Sequence, residues 1–159
     1  MITREQIKND DRFYIDDWNL ERITKNPLVS YEIVEIPVGK IRRNYNGKII
    51  SLTETDIYKY MDGSKESAEQ YDKYCGECVG NANRGKAQFD ALIDSFDKDS
   101  YDLKKGAIFV NQFNIILEGQ HRCCVLLKKY GKDYKIKVVR MKYKGLFLKT
   151  RLKILLAGM

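Results

Sequence analysis

The sequence predicts an α+β domain in which a small mixed sheet is flanked by helices. Apolar residues recur at i, i+3, i+4 and i+7 in two segments, which is the spacing of an amphipathic helix. Short runs of β-branched and aromatic residues between turn residues are typical of strands. A length of 159 residues suits one domain with a short extension. We therefore divide the chain into a lead-in segment (1–29), a main domain with a helical insert (30–142) and a basic amphipathic terminal helix (143–159).

The amino-terminal part contains a partly helical segment followed by the first strand. Ile15 and Trp18 share one helical face with Arg22, so we expect this segment to dock Trp18 on the domain. Alternating apolar and acidic residues predict a strand over residues 31–38. Pro37 indicates that this strand ends there or lies at a sheet edge.

A turn and the helical insert come next. Residues 44–47, with the sequence Asn-Tyr-Asn-Gly, are typical of a turn. Residues 53–75 are predicted to be helical in two pieces, broken around residues 62–64, with Ser67 capping the second piece. The Gly and Asn residues of 75–85 predict a loop. The next helix is predicted by four apolar residues at helical spacing, which are Phe89, Leu92, Ile93 and Phe96.

The carboxyl-terminal half alternates strands with one helix. Residues 107–110 and 113–117 predict two short strands joined by a turn at residues 111–112. Gly119 ends the second of these strands, and a last strand is predicted over residues 134–141. The helix between them begins at Gln120, and its apolar face consists of Cys123, Leu126, Leu127 and Tyr130.

The junction between strand and helix, residues 117–122, is suited to binding a phosphate. The first backbone amides of a helix have no acceptor within the helix, and the helix dipole adds partial positive charge at that end. Gly119 lets an anion approach the backbone closely, and Arg122 adds a planar fork of donors that matches phosphate oxygens. Gln120 and His121 offer further donors, so the junction predicts a phosphate site.

Residues 115–122, with the sequence Ile-Ile-Leu-Glu-Gly-Gln-His-Arg, resemble the nucleotide-binding motif of the ParB/sulfiredoxin superfamily. The family motif has a hairpin, an acid, a glycine and a basic pair that opens a helix. The resemblance extends over residues 30–142 and implies a small domain that binds ATP, ADP or CTP, usually with Mg²⁺. It implies that Glu118 holds the magnesium ion or acts as a catalytic base, with His121 as a second candidate for proton transfer. The residues that would hold the nucleotide are Gly119, Gln120, His121 and Arg122.

Two departures from the family pattern bear on the reaction. Gln120 stands where the sulfiredoxin reductases need a cysteine, so we do not expect reductase chemistry. Residues 42–44 (Arg-Arg-Asn) stand where the free serine kinases place an acidic base, so phosphotransfer would need Glu118 or Glu35 instead. We expect a nucleotide-dependent phosphotransferase or nucleotide hydrolase. The alternatives are a nucleic-acid-binding partition-type module without its helix-turn-helix, and a non-catalytic nucleotide-sensing scaffold.

The formal net charge of +7 attracts polyanions but does not choose among them. About 17 residues follow the last predicted strand, too few for a helix-turn-helix, so we expect at most weak, non-specific nucleic-acid binding. Residues 143–159 are basic and apolar, which suits contact with a membrane surface, contact with a protein, or packing on the domain. The chain begins without the apolar core of a secretory signal, and no stretch approaches the ~20 apolar residues of a transmembrane helix. We therefore expect a cytoplasmic protein with reduced thiols.

Three weaker patterns have more than one interpretation. Cys75 and Cys78 form a C-x-x-C pair, and Cys123 and Cys124 are adjacent on a predicted helix; metal binding, redox chemistry and plain packing are the alternatives. Several tyrosines of the insert suit either a substrate pocket or packing, namely Tyr58, Tyr60, Tyr71 and Tyr74. A basic loop suits a phosphate groove, nucleic-acid contact or simple solvation, and it contains Lys40, Arg42, Arg43 and Lys48 around Tyr45.

Overall fold

The computed structural model describes residues 2–79 and 82–145, and it has the predicted α+β fold. From residue 146 onward, the predicted terminal helix lies outside the described residues. The helices are α1 (Arg4–Lys8), α2 (Asp17–Ile23), α3 (Asp56–Tyr60), α4 (Lys65–Val79), α5 (Ala82–Lys98) and α6 (Gln120–Tyr130). The strands are β1 (Leu28–Pro37), β2 (Arg42–Tyr45), β3 (Lys48–Ser51), β4 (Phe109–Asn111), β5 (Ile116–Glu118) and β6 (Lys135–Tyr143). Two 3₁₀ turns cover Val38–Lys40 and Leu52–Glu54.

The main sheet is mixed and has the strand order β1-β6-β4-β5. β6 pairs antiparallel with β1, with Ile36 opposite Ile136, and parallel with β4. β4 pairs antiparallel with β5. The edge position of β1 agrees with Pro37 as its last residue, because proline cannot donate to a neighbouring strand. Strands β2 and β3 form a separate hairpin, which meets the main sheet where Arg42 bridges to Ile115.

Helices cover both faces of the main sheet, because side chains alternate along each strand. On one face, α1 and α2 share a buried cluster with Phe109, Val139 and Met141. On the other face, the cluster contains Val110 and Val138 and the buried residues of α3 to α6. The start of α6 therefore lies at the end of edge strand β5, on the face covered by the insert.

The expectation that Trp18 docks on the domain is wrong. Trp18 is 70% exposed, while Leu20 and Ile23 carry the buried face of α2. The side chain of Asp16 accepts a hydrogen bond from the Asn19 amide and so fixes where the helix begins. The ring of Trp18 instead lies under the guanidinium of Arg22.

The insert is more helical than the sequence predicts. The predicted loop at 75–85 is wrong, because α4 continues to Val79 and α5 already begins at Ala82. Tyr71 and Cys75, one turn apart on α4, are both buried, and this packing outweighs the weak helix propensity of Gly and Asn. Ser67 is not the cap of α4, because the hydroxyl of Ser64 accepts the Ser67 amide at 3.1 Å. The helix predicted from Phe89, Leu92, Ile93 and Phe96 is confirmed as part of α5.

The hairpin before α6 turns later than predicted. Asn111 belongs to β4 rather than to the turn, and its side-chain oxygen accepts the amides of Phe113 and Ile115 at 2.9 and 3.0 Å. Asn114 then reverses the chain with a positive φ of 59°. Asparagine tolerates this conformation because its short polar side chain can bond locally. Within the described residues, no helix has both the length and the apolar character needed to cross a membrane.

Candidate functional site

The junction between β5 and α6 depends on Gly119. This residue is buried and has a φ of +86°, a conformation that glycine adopts without strain. A Cβ atom at this position would lie 2.9 Å from Cγ1 and 3.1 Å from Cα of Ile108. Because Gly119 has no side chain, the segment before β4 can pack against the start of α6. The sequence predicted a different reason for this glycine, namely the close approach of an anion to the backbone.

The start of α6 presents backbone donors without helical acceptors. The amide of Cys123 donates to the Gly119 carbonyl at 3.0 Å, which is the first hydrogen bond of the helix, so the amides of residues 120–122 precede the ladder. Gly119 supplies no side-chain cap. These amides and the helix dipole favour an anion at this position.

A cavity of about 250 Å³ lies in front of these amides. The insert forms its opposite wall, which makes the cavity apolar on one side and polar on the other. The sequence analysis named Tyr71 as a candidate pocket residue, but it missed the part of the wall that α5 supplies, because nothing in the pattern of α5 shows that it faces residue 120. The lining residues from the insert are Tyr71, Gly85, Gln88, Phe89 and Leu92, and those from the junction are residues 118–122.

Gln120 carries an unpaired donor into this region. Its side-chain nitrogen Nε2 is inaccessible to solvent, and within the described residues no acceptor lies within hydrogen-bond distance of it. A buried donor left without an acceptor costs about 1–3 kcal/mol. Because this atom has no accessible surface, an acceptor oxygen of a ligand would reach it only after the Gln120 side chain turned toward the cavity.

Arg122 does not project freely from the helix, as its predicted role at the anion site would suggest. Its guanidinium lies against the backbone of Gly106, where a Cβ atom would come within 2.6 Å of Nη2. Its Nη1 makes only a long hydrogen bond, 3.4 Å, to the Ala107 carbonyl. No carboxylate in the described part of the chain forms an ion pair with Arg122, so most of its donors are available to a ligand at the cavity it lines.

His121 is packed as a neutral ring. Its Nε2 atom lies 2.9 Å from Oη of Tyr71, and its ring meets that of Phe89 edge to face at 4.8 Å. Burial, reinforced by the charges of Arg122 and Arg43, lowers the pKa of His121 to about 4. At neutral pH the imidazole therefore offers one N–H donor, and it is a weak proton acceptor for the predicted catalytic role.

Glu118 is paired with the lead-in segment. Its Oε2 atom lies 2.8 Å from Nη2 of Arg22, which also donates to the Leu117 carbonyl at 2.6 Å. Among the described residues no group of three or more His, Cys, Asp or Glu side chains could hold a metal ion. Glu35, the alternative acid, lies in β1, at the opposite edge of the sheet from Glu118. The structure therefore brings Glu118 to the cavity and leaves Glu35 away from it.

Arg43 brings a second positive charge toward His121. Its guanidinium lies over the rings of Tyr45 and Tyr74, at 5.3 and 5.5 Å from their centroids. No ion pair joins it to a carboxylate among the described residues, and its charge contributes to the low pKa of His121. Within the basic loop, Arg42 instead turns back to the Gly39 carbonyl.

The cysteines are packing residues wherever their side chains are described. Cys75, Cys123 and Cys124 are buried and form no disulfide among the described residues, and the Cys78 side chain lies outside the described part. Burial raises the pKa of Cys124 to about 12 and that of Cys123 well above its ordinary value. Two tyrosines of the insert, Tyr60 and Tyr71, have ring centroids 4.4 Å apart and pack with Phe89, so Tyr71 both packs and lines the cavity.

The site is therefore a collection of donors around a cavity. The backbone amides at the start of α6 and the Arg122 guanidinium lie there, and the Glu118 carboxylate is paired with Arg22. No family model, no curated protein and no solved structure matches this chain. The assignment of function consequently depends on the chemistry of these donors, which suits an anion with several acceptor oxygens.

Proposed function

We propose that this protein binds a nucleoside di- or triphosphate, such as ATP, ADP or CTP, with its phosphates at the start of α6. The observation that carries the proposal is the cavity at the start of α6, whose lining includes residues 120–122, the residues whose backbone amides have no helical acceptor. Phosphate oxygens are acceptors that would satisfy these amides, and Arg122 would add a charge-assisted contact. The resemblance of residues 115–122 to the ParB/sulfiredoxin nucleotide-binding motif supports the same ligand.

We further infer that binding, rather than turnover, is the primary activity. Both candidate catalytic groups are already engaged, since Glu118 is paired with Arg22 and His121 is a neutral ring packed against Tyr71. This favours the nucleotide-sensing scaffold over the phosphotransferase or hydrolase. Glu118 would hold Mg²⁺ only after leaving Arg22, and magnesium usually binds through one or two carboxylates together with phosphate oxygens. Because Glu118 is already paired with Arg22, we propose that the nucleotide can bind without the metal.

A thermal-shift panel tests the proposal. ATP, ADP, CTP and inorganic tripolyphosphate would be compared, with and without magnesium, against sodium chloride of equal ionic strength. A ligand at 100 times its dissociation constant stabilises the folded state by about 2.7 kcal/mol. For a domain of this size that corresponds to a rise in Tm of roughly 5–11 °C. The absence of any shift at millimolar nucleotide would overturn the proposal, and a shift that Arg122→Ala leaves unchanged would place the ligand elsewhere.

A further inference from the structure

Arg22 of α2 reaches from the lead-in segment to the junction between β5 and α6. Its Nη2 atom lies 2.6 Å from the Leu117 carbonyl, 2.8 Å from Oε2 of Glu118 and 3.1 Å from Oδ1 of Asn19. The guanidinium carbon also lies 5.6 Å from the centroid of the Trp18 ring. Contacts from α2 and from β5 therefore fix the position of this positive charge.

Buried contacts on either side of Arg22 hold α2 against the main sheet. Leu20 and Ile23 are buried in the cluster that α2 shares with the sheet. The hydroxyl of Tyr143, in β6, donates to the Ile23 carbonyl at 2.7 Å, and this hydrogen bond is buried. Arg22 therefore extends from a helix whose position relative to β5 is set by the core.

Glu118 is the acid nearest in sequence to the start of α6. It ends β5, lines the cavity in front of α6 and immediately precedes Gly119. Its side chain is 27% exposed and that of Arg22 is 39% exposed, so water screens this ion pair only in part. An unpaired carboxylate at this position would repel phosphate oxygens. Because arginine is not deprotonated in proteins, Arg22 offsets the charge of Glu118 at any pH.

In many nucleotide sites, a magnesium ion supplies the positive charge between carboxylates and phosphates. Here the guanidinium of Arg22 already lies against the carboxylate that such an ion would use. A second cation beside Glu118 would be repelled by Arg22. The charge that compensates this carboxylate is therefore supplied by the chain itself.

We propose that Arg22 takes the place of a metal ion at this site. It offsets the charge of Glu118, so that phosphates bind at the start of α6 without a divalent cation. Arg22 acts through Glu118 and is therefore a positioning residue. The inference rests on the proposed function, because it names the residue that sets the metal requirement of the same site. It also makes the lead-in segment, which lies outside the region of family resemblance (30–142), part of that site.

Calorimetric titration of the full chain with inorganic tripolyphosphate tests the inference, in EDTA and in excess magnesium at equal ionic strength. The parent should bind in EDTA, with no gain in affinity from magnesium. Arg22→Gln removes the charge but keeps an amide donor for Glu118. It should weaken binding in EDTA by about tenfold or more, because the carboxylate then faces the phosphates uncompensated. The double variant of Arg22→Gln with Glu118→Gln should recover the affinity of the parent.

Arg4→Gln is the matched control. Arg4 also pairs with α2, since its Nη2 atom lies 3.7 Å from Oε2 of Glu21, and the substitution lowers the net charge by the same amount. It should leave the affinity unchanged in both conditions. Arg22→Lys, which keeps the charge but not the planar fork, should retain most of the affinity in EDTA.

Two results would overturn the inference and leave phosphate binding in place. If Arg22→Gln binds like the parent in EDTA, or loses affinity that Glu118→Gln does not restore, the ion pair only docks α2 on the domain. If the parent binds tripolyphosphate only with magnesium, Arg22 does not replace the metal, and this comparison needs no variant. If the parent binds tripolyphosphate in neither condition, the proposed function fails and this inference fails with it.

Discussion

Gly119→Ala is the substitution whose cost the structure defines most closely. Two effects add. A non-glycine residue in the left-handed conformation costs about 1–2 kcal/mol, and the new Cβ atom would meet Ile108 at 2.9 and 3.1 Å. One of those contacts is to backbone, which cannot swing away, so overpacking adds about 1–3 kcal/mol. We therefore expect the free energy of unfolding to fall by about 2–5 kcal/mol.

Gly63→Ala is the matched control. Gly63 also has a positive φ, +74°, but a Cβ atom there meets nothing within 4 Å, so the control isolates the backbone cost. Thermal denaturation followed by circular dichroism should show Tm lowered by roughly 4–20 °C for Gly119→Ala and by roughly 2–8 °C for Gly63→Ala. If Gly119→Ala is no less stable than the control, the close packing of Ile108 on the helix start is not what requires glycine.

Three further predictions follow from the site. In a binding titration, Arg122→Ala should weaken nucleotide affinity about ten- to a hundredfold, and Arg122→Lys should recover part of that affinity. The Tm without ligand should change little, so an affinity equal to that of the parent, or outright unfolding, would contradict this prediction. The pKa of His121 is about 4 in the folded protein and 6.5 ordinarily, so between these pH values the unfolded chain binds more protons than the folded one. The contribution of His121 to the free energy of unfolding is therefore fully present above pH 6.5 and is lost as the pH falls toward 4. In urea denaturation at several pH values, His121→Gln should lose the part of the pH dependence of the free energy of unfolding that His121 causes. If parent and variant show the same pH dependence, the low pKa assigned to His121 is wrong. Peptide mapping after treatment with a thiol reagent at pH 8 should find Cys123 and Cys124 unmodified until urea is added, and rapid labelling of the folded protein would show that they are accessible.

The sequence predicted the elements that depend on local pattern. Gly119 and the helix that begins at Gln120 are where the pattern placed them, whereas the strand before them begins at Ile116 rather than at residue 113. The predicted position of Trp18 was wrong: bulk and hydrophobicity favour burial, but Leu20 and Ile23 are the residues of α2 that pack into the core, and Trp18 lies on another face of the helix.

The neighbours of the site could not be predicted from local pattern. Arg22 reaches Glu118 from nearly the other end of the chain, and Gln88 faces the junction only because α5 packs against α6. Such pairings depend on how helices and strands pack against one another, and no repeating pattern in the sequence indicates that packing. The insert was also misread at residues 75–85, since burial of Cys75 outweighs the propensities of its polar neighbours.

The pairing of β1 with β6 has a consequence for how the chain folds. Ile36 finds its partner Ile136 about 100 residues later, so the longest ladder of the sheet closes one of the largest loops in the protein. Non-local pairing of this kind slows folding, because chain entropy is lost before the contacts form. On the ribosome, β1 would emerge long before its partner strand β6 and would stay unpaired until β6 is made. Glu32, Glu35 and Pro37 protect this strand during that interval, because charged residues and proline on a strand edge oppose pairing with another chain.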